Sequence, residues 1–333
     1  MLLRTDLERL EYERLSPRAA KAAETRGRAV PEEQCEFRTD FQRDRDRIIH
    51  SKAFRRLMHK TQVFLAHEGD HYRTRLTHTL EVAQVARTIA RALAYNEDLT
   101  EAIALGHDIG HTPFGHSGES ILNLLHPEGF RHNEQSLRVV DELEMTSRRR
   151  GLNLTMEVRD GIRNHSGPDV PFTLEGQIVR ISDRIAYVNH DIDDALRSGV
   201  LSMSDIPKRD LDVLGMTHSE RINNLIVDLV RSSDGQDSIR LSDTFSEALL
   251  DLRAFMFEHV YYSPEVKRIE DLSRIETVLT SLYRYYCENP QEMPTLYVDL
   301  IAQDGVQCAV KDYISCMTDR FAMSKYKELE HVF

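Results

Sequence analysis

Apolar residues recur along much of the chain at the spacing of a helix face. Val82, Val85, Ala86, Ile89, Ala90 and Leu93 stand at i, i+3, i+4 and i+7, the repeat that lines one side of a helix, and they predict a helix with one buried face. Residues 99–106 also read as helical, after which Gly110, Pro113 and Gly115 break the pattern just past His107 and Asp108. A helix end therefore feeds an irregular, histidine-rich loop. Further helices are predicted at 133–146, 176–196 and 275–287, the last stopped by Asn289-Pro290, because the residue before a proline is pushed out of the helical region. Period-2 strand signals are scarce, so the fold class expected is all-α. Segments 145–175 and 199–245 are more polar and weaker in period, and mobile or inserted segments are expected there.

Composition adds limits. The chain has 333 residues, 41% hydrophobic and 29% charged, enough to bury a substantial core. No apolar run approaches the roughly 18 residues of a membrane span, and the opening MLLRTDLERLEYERL carries acids and arginines where a signal peptide needs an apolar stretch. A cytoplasmic protein is expected. Cys35, Cys287, Cys308 and Cys316 lie far apart or lack metal-ligand spacing, and read as reduced thiols. A net charge of −12 argues against a protein that coats nucleic acid, which needs clustered cations. Arg38, Arg43, Arg45, Arg47, Arg55, Arg56, Arg73 and Arg75 crowd the N-terminal quarter, so a local positive pocket for a small polyanion is expected.

The chemistry is concentrated in His78, the adjacent pair His107-Asp108 and, far downstream, Asp183. Two neutral imidazoles and two carboxylates suit one divalent metal in a mixed N/O site with positions open for water and substrate. A lone histidine is more often a capped or surface residue. In GHDIGHTPFGHSGES, however, His107, His111 and His116 share one broken turn with Asp108 and Glu119. Those histidines cannot all face one point on a regular helix, so the breakers redirect His111 and His116 toward substrate.

The stretches RTDFQRDRDRIIHSKAFRRLMHKTQVF, RTRLTHTLEVAQVA, LGHDIGHTPFGHSGE, FRHNEQSLRV and RISDRIAYVNHDIDDAL resemble the deoxynucleoside triphosphate triphosphohydrolases of the HD superfamily, in particular the bacterial dGTPase-like branch. The closing CMTDRFA resembles the end of that branch. The resemblance implies an all-α HD-domain helical bundle with additional C-terminal helices: an N-terminal helical extension over 1–35, an HD metallohydrolase core over 36–200 with an insert at about 145–175, and a C-terminal helical region over 201–333 packed on the core. It assigns His78, His107, Asp108 and Asp183 to the metal, in agreement with the reading from the residues alone.

By the same resemblance His116 and Glu119 form a catalytic pair, with the carboxylate orienting the imidazole, and His132 is a further active-site histidine. Glu119 could instead be a first-turn acid stabilising its helix. Arg75, His111, Arg184 and Tyr187 are implied to hold the triphosphate, for which charge-assisted hydrogen bonds are suited; surface salt bridges are the plainer account of the two arginines. Gln62, Tyr187 and Asp191 are implied to surround the sugar. Asp183, Tyr187 and Asp191 are spaced i, i+4 and i+8, on one helix face. Val63 stands where many relatives have leucine, which bears on ribose exclusion.

His165 in GIRNHSGP has no partner visible in the sequence. His50, His59, His67 and His71 are expected to be surface or structural, and Tyr283, Tyr285 and Tyr286 to be packing residues rather than a base-stacking platform. The expected activity is metal-dependent hydrolysis of a dNTP, dGTP among them, to deoxynucleoside and triphosphate. The cofactor is one divalent ion, Mn²⁺ or Mg²⁺, with Co²⁺, Ni²⁺, Fe²⁺ and Zn²⁺ left open. The resemblance further implies a homo-oligomer, often a hexamer, with nucleotides as activators. The alternatives are an HD nucleotidase or phosphodiesterase releasing a single phosphate, and a nucleotide-sensing or single-stranded nucleic-acid-binding protein.

Overall fold

A computed structural model describes residues 1–62, 73–146, 149–261 and 269–332. Among them are sixteen α-helices and no strand, only isolated bridges such as Thr61 with Thr74. The all-α expectation holds. No helix among the described residues is long and apolar enough to cross a membrane. Two compact units are interleaved along the chain: Met1–Ile49, His78–His107 and Asn153–Val266 form the first, and His50–Thr77, Asp108–Leu152 and Lys267–Phe333 the second.

The first unit is built around the helix Glu97–Gly106, in which Leu99, Ala102, Ile103, Ala104 and Leu105 are all buried. Asn96 starts it by accepting a hydrogen bond from the Leu99 amide at 3.1 Å, satisfying a donor the helix leaves open. The helix Met156–Asn164 packs against it through two glycines. A Cβ on Gly161 would lie 2.5 Å from Ile103 Cδ1, and one on Gly106 would lie 2.6 Å from Ile162 Cδ1. This corrects the expectation of a mobile or inserted segment at 145–175: Leu152, Leu154, Val158 and Ile162 are core residues. The helix is only nine residues long, too short for its apolar face to stand out from the polar stretches on either side. The region 199–245 is likewise corrected, since it folds into the helices Lys208–Leu214 and His218–Ser233. The second is started by a reciprocal cap between Thr217 and Glu220 and anchored by Leu225 and Leu229.

Four of the N-terminal arginines expected to line a positive pocket are instead paired with acids. Arg38 pairs with Asp46 at 2.7 Å, Arg43 with Glu32 at 3.0 Å, and Arg45 with Asp98 at 2.7 Å, while Arg47 also binds Glu32. Each cation is neutralised by an acid that folding brings from elsewhere in the same unit.

In the second unit Leu122, Val278, Leu279, Leu282, Val310 and Ile314 form the core. Asp312, fully buried, accepts from Gln135 Nε2 at 2.9 Å and Arg138 Nε at 2.7 Å. Tyr283 and Tyr286 are buried and Tyr286 meets Tyr313 edge-on at 5.1 Å, so these rings are packing residues. Val63, His67 and His71 lie outside the described residues; His50 and His59 are exposed.

Candidate metal centre and histidine cluster

In the first unit three helices bring metal-ligating side chains together. His78 lies in the first turn of the helix Arg75–Ala92, His107 caps the end of Glu97–Gly106, and Asp183 sits mid-way along Leu174–Arg197. His78 Nε2 is 3.0 Å and His107 Nε2 is 3.7 Å from the same oxygen, Asp183 Oδ1. The imidazoles hold the Asp183 carboxyl well below the usual carboxylate range even though burial pushes it up. His165, for which the sequence offered no partner, caps the helix Met156–Asn164 with its ring 5.0 Å from that of His107. Ligand atoms of His107, His165 and Asp183 lie within 4.8 Å of one another.

The tautomers suit a metal. His107 Nδ1 donates to Ala104 O at 2.6 Å and His165 Nδ1 donates to Ile162 O at 2.7 Å, because a carbonyl can only accept. Each ring therefore carries its lone pair on Nε2, the atom a cation would take, with its orientation fixed by the helix terminus behind it. The donor set of imidazole nitrogen and carboxylate oxygen fits a divalent ion of the Mn, Fe, Co or Zn type. The signal for His165 was present in the sequence, since it ends its helix as His107 does, but only packing brings the two ends together.

Farther along Leu174–Arg197, Tyr187 and Asp191 follow Asp183 at one-turn intervals. Burial pushes the Tyr187 phenol up to about 12, and its oxygen accepts from Arg253 Nε at 2.6 Å. Asp191 is buried. Arg184 is half-buried.

In the second unit the broken turn folds back on itself. Asp108, directly after His107, receives a 2.5 Å bond from Arg75 Nη1, with the two side chains only 2% and 5% exposed. Arg75 Nη2 also reaches the carbonyl of Gln62, itself a buried residue, at 3.4 Å. Phe114 adopts a left-handed conformation, φ 62° and ψ 25°, which costs an L-residue about 1–2 kcal/mol. Gly115 follows at φ 58°, where a Cβ would stand 2.7 Å from Gln62 O.

Glu119 is the hub of this turn. Its Oε1 accepts from both the backbone N and Nδ1 of His132, at 2.9 and 2.8 Å. Its Oε2 stands 3.6 Å from His111 Nε2 and 3.6 Å from His116 Nδ1. The carboxylate thus has its close bond to His132 and a longer contact to His116. It is the fifth residue of the helix Gly115–Leu125, beyond the first turn, so the helix-dipole account does not apply. Burial raises the Glu119 carboxyl, but the surrounding imidazoles bring it well below the carboxylate range. Burial opposes charge on His132, and Glu119 outweighs it, raising the imidazole. His111 is lowered by burial and by Arg75, and is neutral. His116 keeps 57% of its side chain exposed. One carboxylate thus organises an imidazole with raised proton affinity, one with lowered affinity and a solvent-facing one, a set able to hold and deliver protons.

The HD domain family matches residues 75–188, which include both groups except Gln62, Asp191 and Arg253, and the phosphohydrolase-associated domain matches 239–328. A protein named deoxyguanosinetriphosphate triphosphohydrolase-like from Caldanaerobacter subterraneus subsp. tengcongensis is 58% identical over 99% of this chain and 96% of its own. Proteins of the same name from Clostridium tetani and Desulfatibacillum aliphaticivorans are each 48% identical over 99% of this chain and 96% and 98% of theirs. The chain belongs to the deoxyguanosinetriphosphate triphosphohydrolase-like family. As a member of it, the protein is a metal-dependent phosphohydrolase. The solved structure of a phosphohydrolase from Bacteroides thetaiotaomicron VPI-5482 superposes with a TM-score of 0.53 at 19% identity, covering 84% of this chain and 67% of that one. That likeness shows a shared helical fold.

Proposed function

We propose that this triphosphohydrolase-like protein hydrolyses deoxynucleoside triphosphates, dGTP among them, to deoxynucleoside and intact triphosphate. The observation that carries the reading is Glu119 with His132 at 2.8 Å and His111 and His116 each at 3.6 Å. Removal of only the γ-phosphate of a triphosphate expels a good leaving group and has little use for so many protons. Expelling an alkoxide at the sugar 5′-oxygen needs an acid.

In this reading water attacks the α-phosphorus, the bond from phosphorus to the 5′-oxygen breaks, and His116 protonates that oxygen. Its exposure allows the ring to be recharged from solvent, and Glu119 holds its Nδ1 side. Neutral His111, Arg75, Arg184 and Tyr187 bind the phosphate chain, and Gln62, Val63, Tyr187 and Asp191 bound the sugar. His78, His107, Asp108 and Asp183 would hold a divalent ion, Mn²⁺ or Mg²⁺, which supplies Lewis acidity toward a phosphoryl oxygen. Homo-oligomerisation and activation by a second nucleotide belong to the same proposal.

The test is ion chromatography of products after incubating metal-loaded protein with each dNTP, singly and in mixtures, beside a His116→Ala control. Deoxynucleoside plus tripolyphosphate, lost in the variant, supports the reading. Orthophosphate or pyrophosphate moves the activity to a different hydrolase of the HD type, and no turnover with Mn²⁺, Mg²⁺ or Co²⁺ favours nucleotide sensing.

A further inference from the structure

The second unit contains two polar tethers that the proposed chemistry does not use, one buried and one half-buried, and both join the histidine turn to the C-terminal segment 315–319. The first is Lys60, only 2% exposed. Its ammonium donates to the carbonyl of His111 and, at 2.8 Å, to that of Ser315, the last residue of the helix Val306–Ser315. The second is Asp319. Its Oδ2 accepts from both the Thr61 backbone N, at 3.0 Å, and the Thr61 hydroxyl, while Oδ1 accepts from the Phe114 N–H at 2.9 Å.

The tethered residues are adjacent to those that matter. Thr61 precedes Gln62, His111 is itself bound through its backbone, and Phe114 is the strained left-handed residue that sets the direction of the helix carrying His116 and Glu119. A left-handed phenylalanine persists only where its surroundings over-determine it. Asp319 supplies that by fixing the Phe114 amide, and Lys60 fixes the carbonyl three residues earlier. The Lys60 ammonium, with two carbonyls, is satisfied enough to be tolerated in the interior, and the half-buried Asp319 carboxylate has three donors.

We infer that Asp319 and Lys60 are positioning residues that clamp the turn 108–116, setting where His111, His116 and Gln62 face the substrate. This rests on the function proposed above for the roles of those three residues, while the clamp itself is a property of the fold. It gives the closing CMTDRFA sequence a task in the reaction: no residue of it reaches a reacting atom, but Asp319 orients those that do. Positioning at this level matters because small misplacements of catalytic groups cost large factors in rate.

The experiment compares wild-type, Asp319→Ala, Asp319→Asn and Thr61→Val full-length protein in three measurements: amide hydrogen exchange, metal content, and kcat and KM for dNTP hydrolysis. In Asp319→Ala, exchange at 111–116 is expected to quicken at least about tenfold, with kcat falling on the order of 10²-fold and metal content unchanged. Asp319→Asn keeps one acceptor for two directions of donors and should fall between, and Thr61→Val should show the smallest loss. Exchange at 111–116 no faster than wild type, or faster only in step with the whole unit and a lowered melting temperature, would overturn the clamp. If wild-type protein hydrolyses no dNTP, the functional reading fails, and the exchange comparison still decides the clamp by itself.

Discussion

The shortest side-chain bond that Glu119 makes to an imidazole goes to His132, Oε1 to Nδ1 at 2.8 Å, and not to His116, which stands 3.6 Å from Oε2. One carboxylate therefore holds one imidazole tightly and leaves the exposed histidine looser. Replacing Glu119 with Gln removes the charge both depend on. The expected outcome is a kcat lower by about 10²–10⁴-fold, the usual worth of general acid catalysis, with a smaller change in KM. Steady-state kinetics on the metal-loaded variant checks it.

The same pair makes stability depend on pH. His132 is raised above its ordinary value by Glu119, so the folded state holds the proton more tightly than the unfolded one. That contribution is fully present below the unfolded imidazole value of about 6.5 and is lost as pH rises through the raised folded value. Glu119 is depressed, and its contribution is present above the unfolded value of about 4.3 and lost as pH falls through the folded one. The melting-temperature gap between wild type and Glu119→Gln should be widest between these two unfolded values and narrow above neutrality. A gap that does not vary with pH would count against the ion pair.

Arg75 and Asp108 form a buried pair at 2.5 Å. Arg75→Ala leaves a carboxylate in the interior without its guanidinium, at an expected cost of about 3–5 kcal/mol in metal-free protein. Since Asp108 is a proposed metal ligand, a bound divalent ion should recover part of that loss. Thermal melts in chelator and in excess Mn²⁺ measure both numbers, and equal losses in the two conditions would remove Asp108 from the metal.

His165 shares the space of His107 and Asp183. His165→Gln is expected to weaken metal binding by about 10–100-fold, whether the ring coordinates directly or orients a ligand. Titration of apo protein with Mn²⁺ reads this directly. Unchanged affinity would make His165 a packing residue.

Gly110 has no room for a side chain: a Cβ there would lie 2.1 Å from the backbone N of Ser136. Gly110→Ala should destabilise by about 1–3 kcal/mol through overpacking, and it should displace His111 as well. Denaturant unfolding together with kinetics would show stability and rate falling in the same variant.

The sequence by itself determined the helical class, the break in the helix that ends at Gly106 and the candidates for the reactive groups. Periodicity at Val82 to Leu93 and the breakers after Asp108 act within a few residues, so they are legible without a fold. Ordered motifs gave the family for the same reason. Tertiary structure alone decided which groups meet. Glu119 pairs with His132 because the helix Gly115–Leu125 folds back on the start of the next, and His165 reaches His107 because Gly106 and Gly161 let their helices touch. Arg38, Arg43, Arg45 and Arg47 looked like part of a phosphate pocket and are instead paired with Asp46, Glu32 and Asp98. Asp319 lies 258 residues from Thr61. A contact of that separation leaves no local pattern, since it forms only when packing brings a half-buried carboxylate beside backbone donors that need an acceptor.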